Sequence, residues 1–185
     1  MRSGLGLAAL GLATLGFAAF ELCLAPALAK SPSINCDAFI DRLKTAASTL
    51  HVDFSHALVV SRAHSDTDVF DLVTSAEIDG ALTCRSGGLR RFEAHMAEPA
   101  SARGATDFET FQAAALRAAL GWDAAKGRAM AREMSDDVRD YLKASRERGD
   151  TYRSGKTEEH APGGVSLGLI VTDTDSAFII VGGED

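Results

Sequence analysis

The densest group of side chains able to do acid–base chemistry lies between Arg146 and His160, where Arg148, Asp150, Arg153, Lys156, Glu158 and Glu159 also fall. A carboxylate beside an imidazole can pass a proton to and from a bound molecule, and on an extended strand Glu158 and His160, two residues apart, share one face. Arg153 lies an odd number of residues from Glu158, so alternation puts those two on opposite faces. The pair is equally an ordinary surface ion pair of small energetic weight. Glu158, His160 and Arg153 are therefore the expected ligand contacts. No set of residues is read as catalytic, and Glu158 with His160 is the pair that an enzyme would use.

Other combinations are weaker. His64, Asp66 and Asp68 are near enough in sequence to share a nitrogen-and-oxygen metal site, but residues 61–68 read more simply as a solvated loop, so no metal is assigned. Asp173 and Asp175 form a natural hairpin tip and lack the spaced oxygens of a calcium loop. Gly164-Val165-Ser166-Leu167-Gly168 matches the Gly-x-Ser-x-Gly pattern of a nucleophile elbow. A β-rich run follows Ser166 where a helix should open, and no histidine comes after it. Phosphate-binding glycine loops of the Walker or Rossmann type are missing, and no cofactor is expected. Aromatic residues are too few for a base- or sugar-stacking platform.

These residues need elements to hold them. Cys36, Phe39, Ile40, Leu43, Ala47 and Leu50 follow the three-and-four spacing of an amphipathic helix, which Asn35 or Asp37 can cap. Strand-like runs follow at 56–61, 69–73, 76–84 and 89–96, with a turn at Gly87-Gly88 and a loop over 97–105. Thr106-Asp107-Phe108-Glu109 reads as a capping box opening a helix with Phe108, Phe111, Ala115 and Ala119 on its inner face, stopped near Gly121. Asp123 can cap a longer helix with Met130, Met134, Val138, Tyr141 and Ser145 inward, ended by Gly149. Strands return at 151–157, 165–172 and 177–181, the last two joined by a turn over 172–176. Helix, strands, two helices, strands is the order of an α+β domain. The expected architecture is an antiparallel sheet of about six strands, with one N-terminal helix and a central helix pair packed against it.

The first thirty residues speak to destination. Arg2 precedes an apolar stretch from Leu5 to Phe20, and Pro26 and the small-x-small triplet Ala27-Leu28-Ala29 stand before Lys30. That order reads as a secretory signal, residues 1–29, cleaved after Ala29. Its apolar run is shorter than the roughly 20 residues that span a bilayer, so no stable membrane anchor is expected after cleavage. Leu22, in place of a small residue, precedes Cys23, which argues against lipidation. Residues 30–185 form one expected domain, a length that can enclose a single core.

Cys36 and Cys84 are then the only cysteines, and an oxidising compartment should pair them. The formal net charge of −7 disfavours nucleic acid and anionic lipid as partners. Arginine-rich basic residues and a single asparagine, Asn35, suggest a GC-rich bacterial genome, hence a periplasm. The expected function is that of a non-catalytic exported accessory or binding protein of the bacterial envelope, taking a protein partner or a small ligand. The alternative is a small envelope hydrolase using Glu158 and His160, with or without a metal at His64, Asp66 and Asp68. Ligand identity and oligomeric state are not written in the sequence. The intact mass of the exported protein should begin at Lys30; full-length chain in the membrane fraction would contradict the signal.

Overall fold

In a computed structural model the described residues are 34–52, 54–61, 67–74, 77–150 and 154–182. They form α1 (Cys36–Thr49), β1 (Ser55–Ser61), β2 (Thr67–Val73), β3 (Ile78–Arg85), β4 (Gly88–Ala97), α2 (Ala102–Leu120), α3 (Ala124–Arg148), β5 (Ser154–Ala161), β6 (Val165–Thr172) and β7 (Asp175–Val181). The strands make one antiparallel sheet in the order β1-β2-β3-β4-β7-β6-β5. The α+β class and the helices packed on an antiparallel sheet agree with the sequence pattern, and the strand number is seven.

Alternation divides the sheet into a covered and an open face. Leu82, Phe92, Ile180 and Leu167 lie in one row across β3, β4, β7 and β6, and all four are fully buried beneath the helices. Phe92 is the hub of this core. Its ring centroid lies 5.5 Å from that of Phe39 on α1, 5.9 Å from Phe111 on α2 and 6.5 Å from Phe178 on β7. Such tilted and edge-on contacts add to the large area that each ring removes from water.

The helices are held close by small residues. A Cβ on Gly127 of α3 would come within 3.1 Å of the Ala113 carbonyl oxygen on α2. One on Gly155 of β5 would come within 2.7 Å of Val138 Cγ1 on α3. Any side chain at these two positions would push α3 away from its neighbours, so glycine sets the height of α3 over the sheet.

Local signals account for most boundaries, with instructive exceptions. Asn35 caps α1 through Ala38 N–H at 2.9 Å, and Asp123 caps α3 through Lys126 N–H at 2.7 Å. Gly121 and Gly149 end α2 and α3 in the left-handed conformation. Helix α2, however, starts four residues before the expected box. Ser101 accepts from Gly104 N–H at 2.9 Å, and the Thr106 hydroxyl donates to the Ala102 carbonyl from inside the helix at 3.0 Å. The earlier serine is the cap because its oxygen satisfies a free N–H of the first turn. The β3–β4 turn is centred on Ser86 and Gly87, with φ of 49° and 76°, the two positive values of a type I′ hairpin turn, whose twist matches that of the strands. Tyr141 is 51% exposed and lies off the buried stripe of α3.

Cys36 and Cys84 are bonded, their Cα atoms 6.1 Å apart across 48 residues of sequence. The bond fastens the start of α1 to the end of β3. Backbone hydrogen bonds from Cys36 N to Gly87 O, 2.9 Å, and from Leu89 N to Ile34 O, 2.7 Å, reinforce the same joint. Closing a loop of this length constrains the unfolded chain by at most about 4 kcal/mol. Replacing both cysteines by alanine should lower unfolding free energy by about 2–4 kcal/mol, read as a lower urea midpoint. An unmoved midpoint would show that the bond adds nothing.

Candidate functional site

Strand β5 runs on through His160, so the polar segment expected to connect a helix to a strand is itself the edge of the sheet. Register places Lys156, Glu158 and His160 on the open face, opposite Ile170, Gly168 and Ser166. Each side chain has its own partner. Lys156 Nζ donates to Glu158 Oε2 at 2.9 Å, and His160 Nδ1 lies 3.2 Å from Ser166 Oγ. The Lys156 hydrogen bond, then its charge, hold the Glu158 carboxyl below the usual glutamate range, with a smaller contribution from His160. A general acid at neutral pH needs the opposite shift. His160 also borders a shallow groove with Trp122, Met130 and Lys126, whose ammonium stands 4.1 Å over the Trp122 ring.

The remaining expected residues do not gather there. Arg153, His64 and Asp66 lie outside the described residues, as does the segment 1–29. Asp68 sits on β2 across from Cys84. Among the described residues no group of three or more histidine, cysteine, aspartate or glutamate side chains could hold a metal ion. Ser166 is within strand β6, with no helix after it, so the nucleophile-elbow geometry is absent.

A different site opens on the covered side of the sheet. Between α2, α3 and the β4–β7–β6 strands lies a cleft of about 310 Å³. Its apolar wall comes from Phe108 on α2, Val138 and Leu142 on α3, Met96 on β4 and Leu169 on β6. Helical periodicity brings Phe108 and Gln112 to one side of α2 and Arg132, Ser135 and Arg139 to one side of α3. Two ion pairs rim the cleft, Arg132 with Glu109 at 2.8 Å and Arg139 with Asp136 at 2.6 Å.

Glu98 enters from the segment joining β4 to α2, just before the cis Glu98–Pro99 peptide bond. Its backbone N–H donates to the Thr174 carbonyl at 3.0 Å. Its carboxylate accepts the Ser176 hydroxyl at 2.6 Å and the Ala100 N–H at 3.2 Å.

Gln112 is the unusual member. It is 1% exposed, and its side-chain oxygen has no hydrogen-bond partner. Leaving a buried acceptor unpaired costs about 1–3 kcal/mol, which native folds normally avoid. The signal was present in the sequence, since Phe108, Gln112, Ala115 and Ala119 share a helical stripe in which Gln112 is the one polar residue. What opposes it on α3 and the sheet is not a property of that stripe.

Compared with protein-family models, with curated proteins and with solved structures, the chain matches none of them. The functional reading therefore stands on geometry. Among the described residues the cleft lining holds no histidine, cysteine or lysine. Its hydroxyls are engaged, Ser135 donating to Ala131 O at 2.8 Å and Ser176 to Glu98. It offers acceptors and an apolar wall, the means of holding a molecule.

Replacing Gln112 by leucine, similar in size and apolar, should raise unfolding free energy by about 1–3 kcal/mol by removing the unpaired oxygen. Chemical denaturation of the two proteins reads it directly. A lower stability for Gln112→Leu would show that the amide is bonded in solution.

Proposed function

We propose that this chain is an exported, non-catalytic binding protein of the bacterial envelope that takes a small ligand into the cleft beneath α2 and α3. The observation that carries the reading is Gln112, which lines a cavity large enough for a molecule and whose buried side-chain oxygen has no partner. A bound donor completes its hydrogen bonding and returns the free energy that its burial costs. The cavity volume lies at the small end of ligand sites.

Export rests on the N-terminal pattern of basic, apolar and small residues, and the Cys36–Cys84 bond suits an oxidising compartment. The acidic balance favours neither nucleic acid nor anionic membrane as partner. Binding is preferred to hydrolysis because Glu158, the carboxylate an envelope hydrolase would use, is tied to Lys156 and shifted away from proton donation.

The neutral probe 1-hexanol, with an apolar body and one hydroxyl, tests the cleft. Amide spectra of wild-type protein should show saturable shifts in residues 108–112 and 135–142. Ala105 is an exposed position of α2 bordering the cleft. Ala105→Trp should block the site, abolishing the shifts while the fold is kept. Absence of saturable shifts in the wild type, or their persistence in Ala105→Trp, would overturn the assignment.

A further inference from the structure

We infer that the cleft selects a cation: a small primary monoamine on a short apolar body, with its ammonium held by Glu98. The inference rests on the cleft being a ligand site and concerns what it admits.

Three carboxylates, Glu98, Glu109 and Asp136, line the cleft against two guanidiniums, Arg132 and Arg139. The guanidiniums are paired with Glu109 and Asp136. Among the described residues Glu98 has no cationic partner, and its two hydrogen-bond donors, the Ser176 hydroxyl and the Ala100 N–H, are neutral. The positive end of α2 is also faced by Glu77, whose Oε2 accepts the Ser101 hydroxyl at 2.7 Å. A helix N-terminus is worth about half a positive charge, so it does not cancel Glu98 as well. Among the described residues the cleft lining keeps a net negative charge.

A carboxylate offers about four lone-pair sites, and Glu98 uses two. An ammonium brings three donors, and a charge-assisted bond to carboxylate is roughly twice as strong as a neutral one. The Gln112 oxygen is a further acceptor in the same cleft. Unused acceptor capacity on Glu98 and Gln112 suits an ammonium, and the unpaired carboxylate of Glu98 disfavours a carboxylate ligand.

Phe108, Val138, Leu142 and Leu169 supply an apolar wall for a hydrocarbon body. Glu109 and Asp136 are already held by Arg132 and Arg139, so a second ammonium on the ligand would find no unpaired carboxylate among the described lining residues. One amine is therefore preferred to two.

The test compares probes of one carbon count by amide-resolved titration of the exported chain: hexylamine, 1,6-diaminohexane, 1-hexanol and hexanoate. Hexylamine should bind most tightly, about tenfold over 1-hexanol, the gain of a charged over a neutral hydrogen bond. Its shifts should include Ala100 and the Gln112 side-chain amide. Diaminohexane should bind more weakly than hexylamine, and hexanoate weakest of all. Glu98→Gln, checked for folding by its thermal midpoint, should remove the advantage of hexylamine over 1-hexanol. Hexanoate or 1-hexanol binding as tightly as hexylamine, or full hexylamine affinity in folded Glu98→Gln, overturns the amine inference and leaves the cleft as a binding site. No cleft binding by any probe removes both. The ranking on the wild-type chain decides the matter without any variant.

Discussion

The antiparallel pairing of β4 with β7 is the contact on which the rest of the molecule depends. It joins a four-strand meander to a three-strand meander across the two long helices inserted between them. Through it Phe92, Ala94 and Met96 stand beside Ile180, Phe178 and Ser176, and the first two of these pairs are wholly buried. Phe92 touches rings from α1, α2 and β7, so one side chain ties the first helix, the central helix pair and the last strand together. Burying a phenylalanine is worth about 1.5–3 kcal/mol, and the cluster repeats that gain around a shared centre.

The cleft follows from the same pairing. Helices α2 and α3 leave the sheet after β4 and return at β5, the opposite edge, so they must cross over β7 and β6. Close approach is enforced at Gly127 against α2 and at Gly155 against α3, which fixes the helix pair near β5. Toward the end of β4 the wall is made of Glu98, Gln112 and Ser176 as well as apolar groups, and the core gives way to a cavity. A fold optimised only for stability would fill that space with apolar side chains. Retaining a buried amide there costs stability, as functional sites commonly do.

Polar groups on the two faces are used differently. On the open face they satisfy one another, as Lys156 does Glu158 and Asp175 does His95, whose Nδ1 is 3.2 Å from Asp175 Oδ2. Exposed pairs of this kind contribute little to stability because water solvates both partners when they separate. On the helix side, Glu98 and Gln112 keep unused acceptors where less water is present and electrostatic interactions are stronger. The face with fewer charges is thus the one with greater power to discriminate among ligands.

Local sequence determined much of this architecture. Apolar spacing set the inner faces of α1 and α2, Asn35 and Asp123 set two helix starts, and Gly121 and Gly149 set two stops, because caps and periodicity act over a few residues. The pairing expected of Cys36 and Cys84 once Cys23 is assigned to a signal segment is the one the structure has. The start of α2 was less legible, since Ser101 and Thr106 are both competent caps and only Ser101 lies where Glu77 can accept its hydroxyl. The shared face of Glu158 and His160 follows from strand alternation, whereas the partners Lys156 and Ser166 depend on rotamers and on register with β6. Glu98, Gln112, Arg132 and Ser176 are spread over nearly eighty residues, and nothing in their spacing joins them. Only the tertiary structure decided their meeting, because a cleft is defined by where elements fail to touch, and that depends on the pairing of distant strands and the height at which α3 settles.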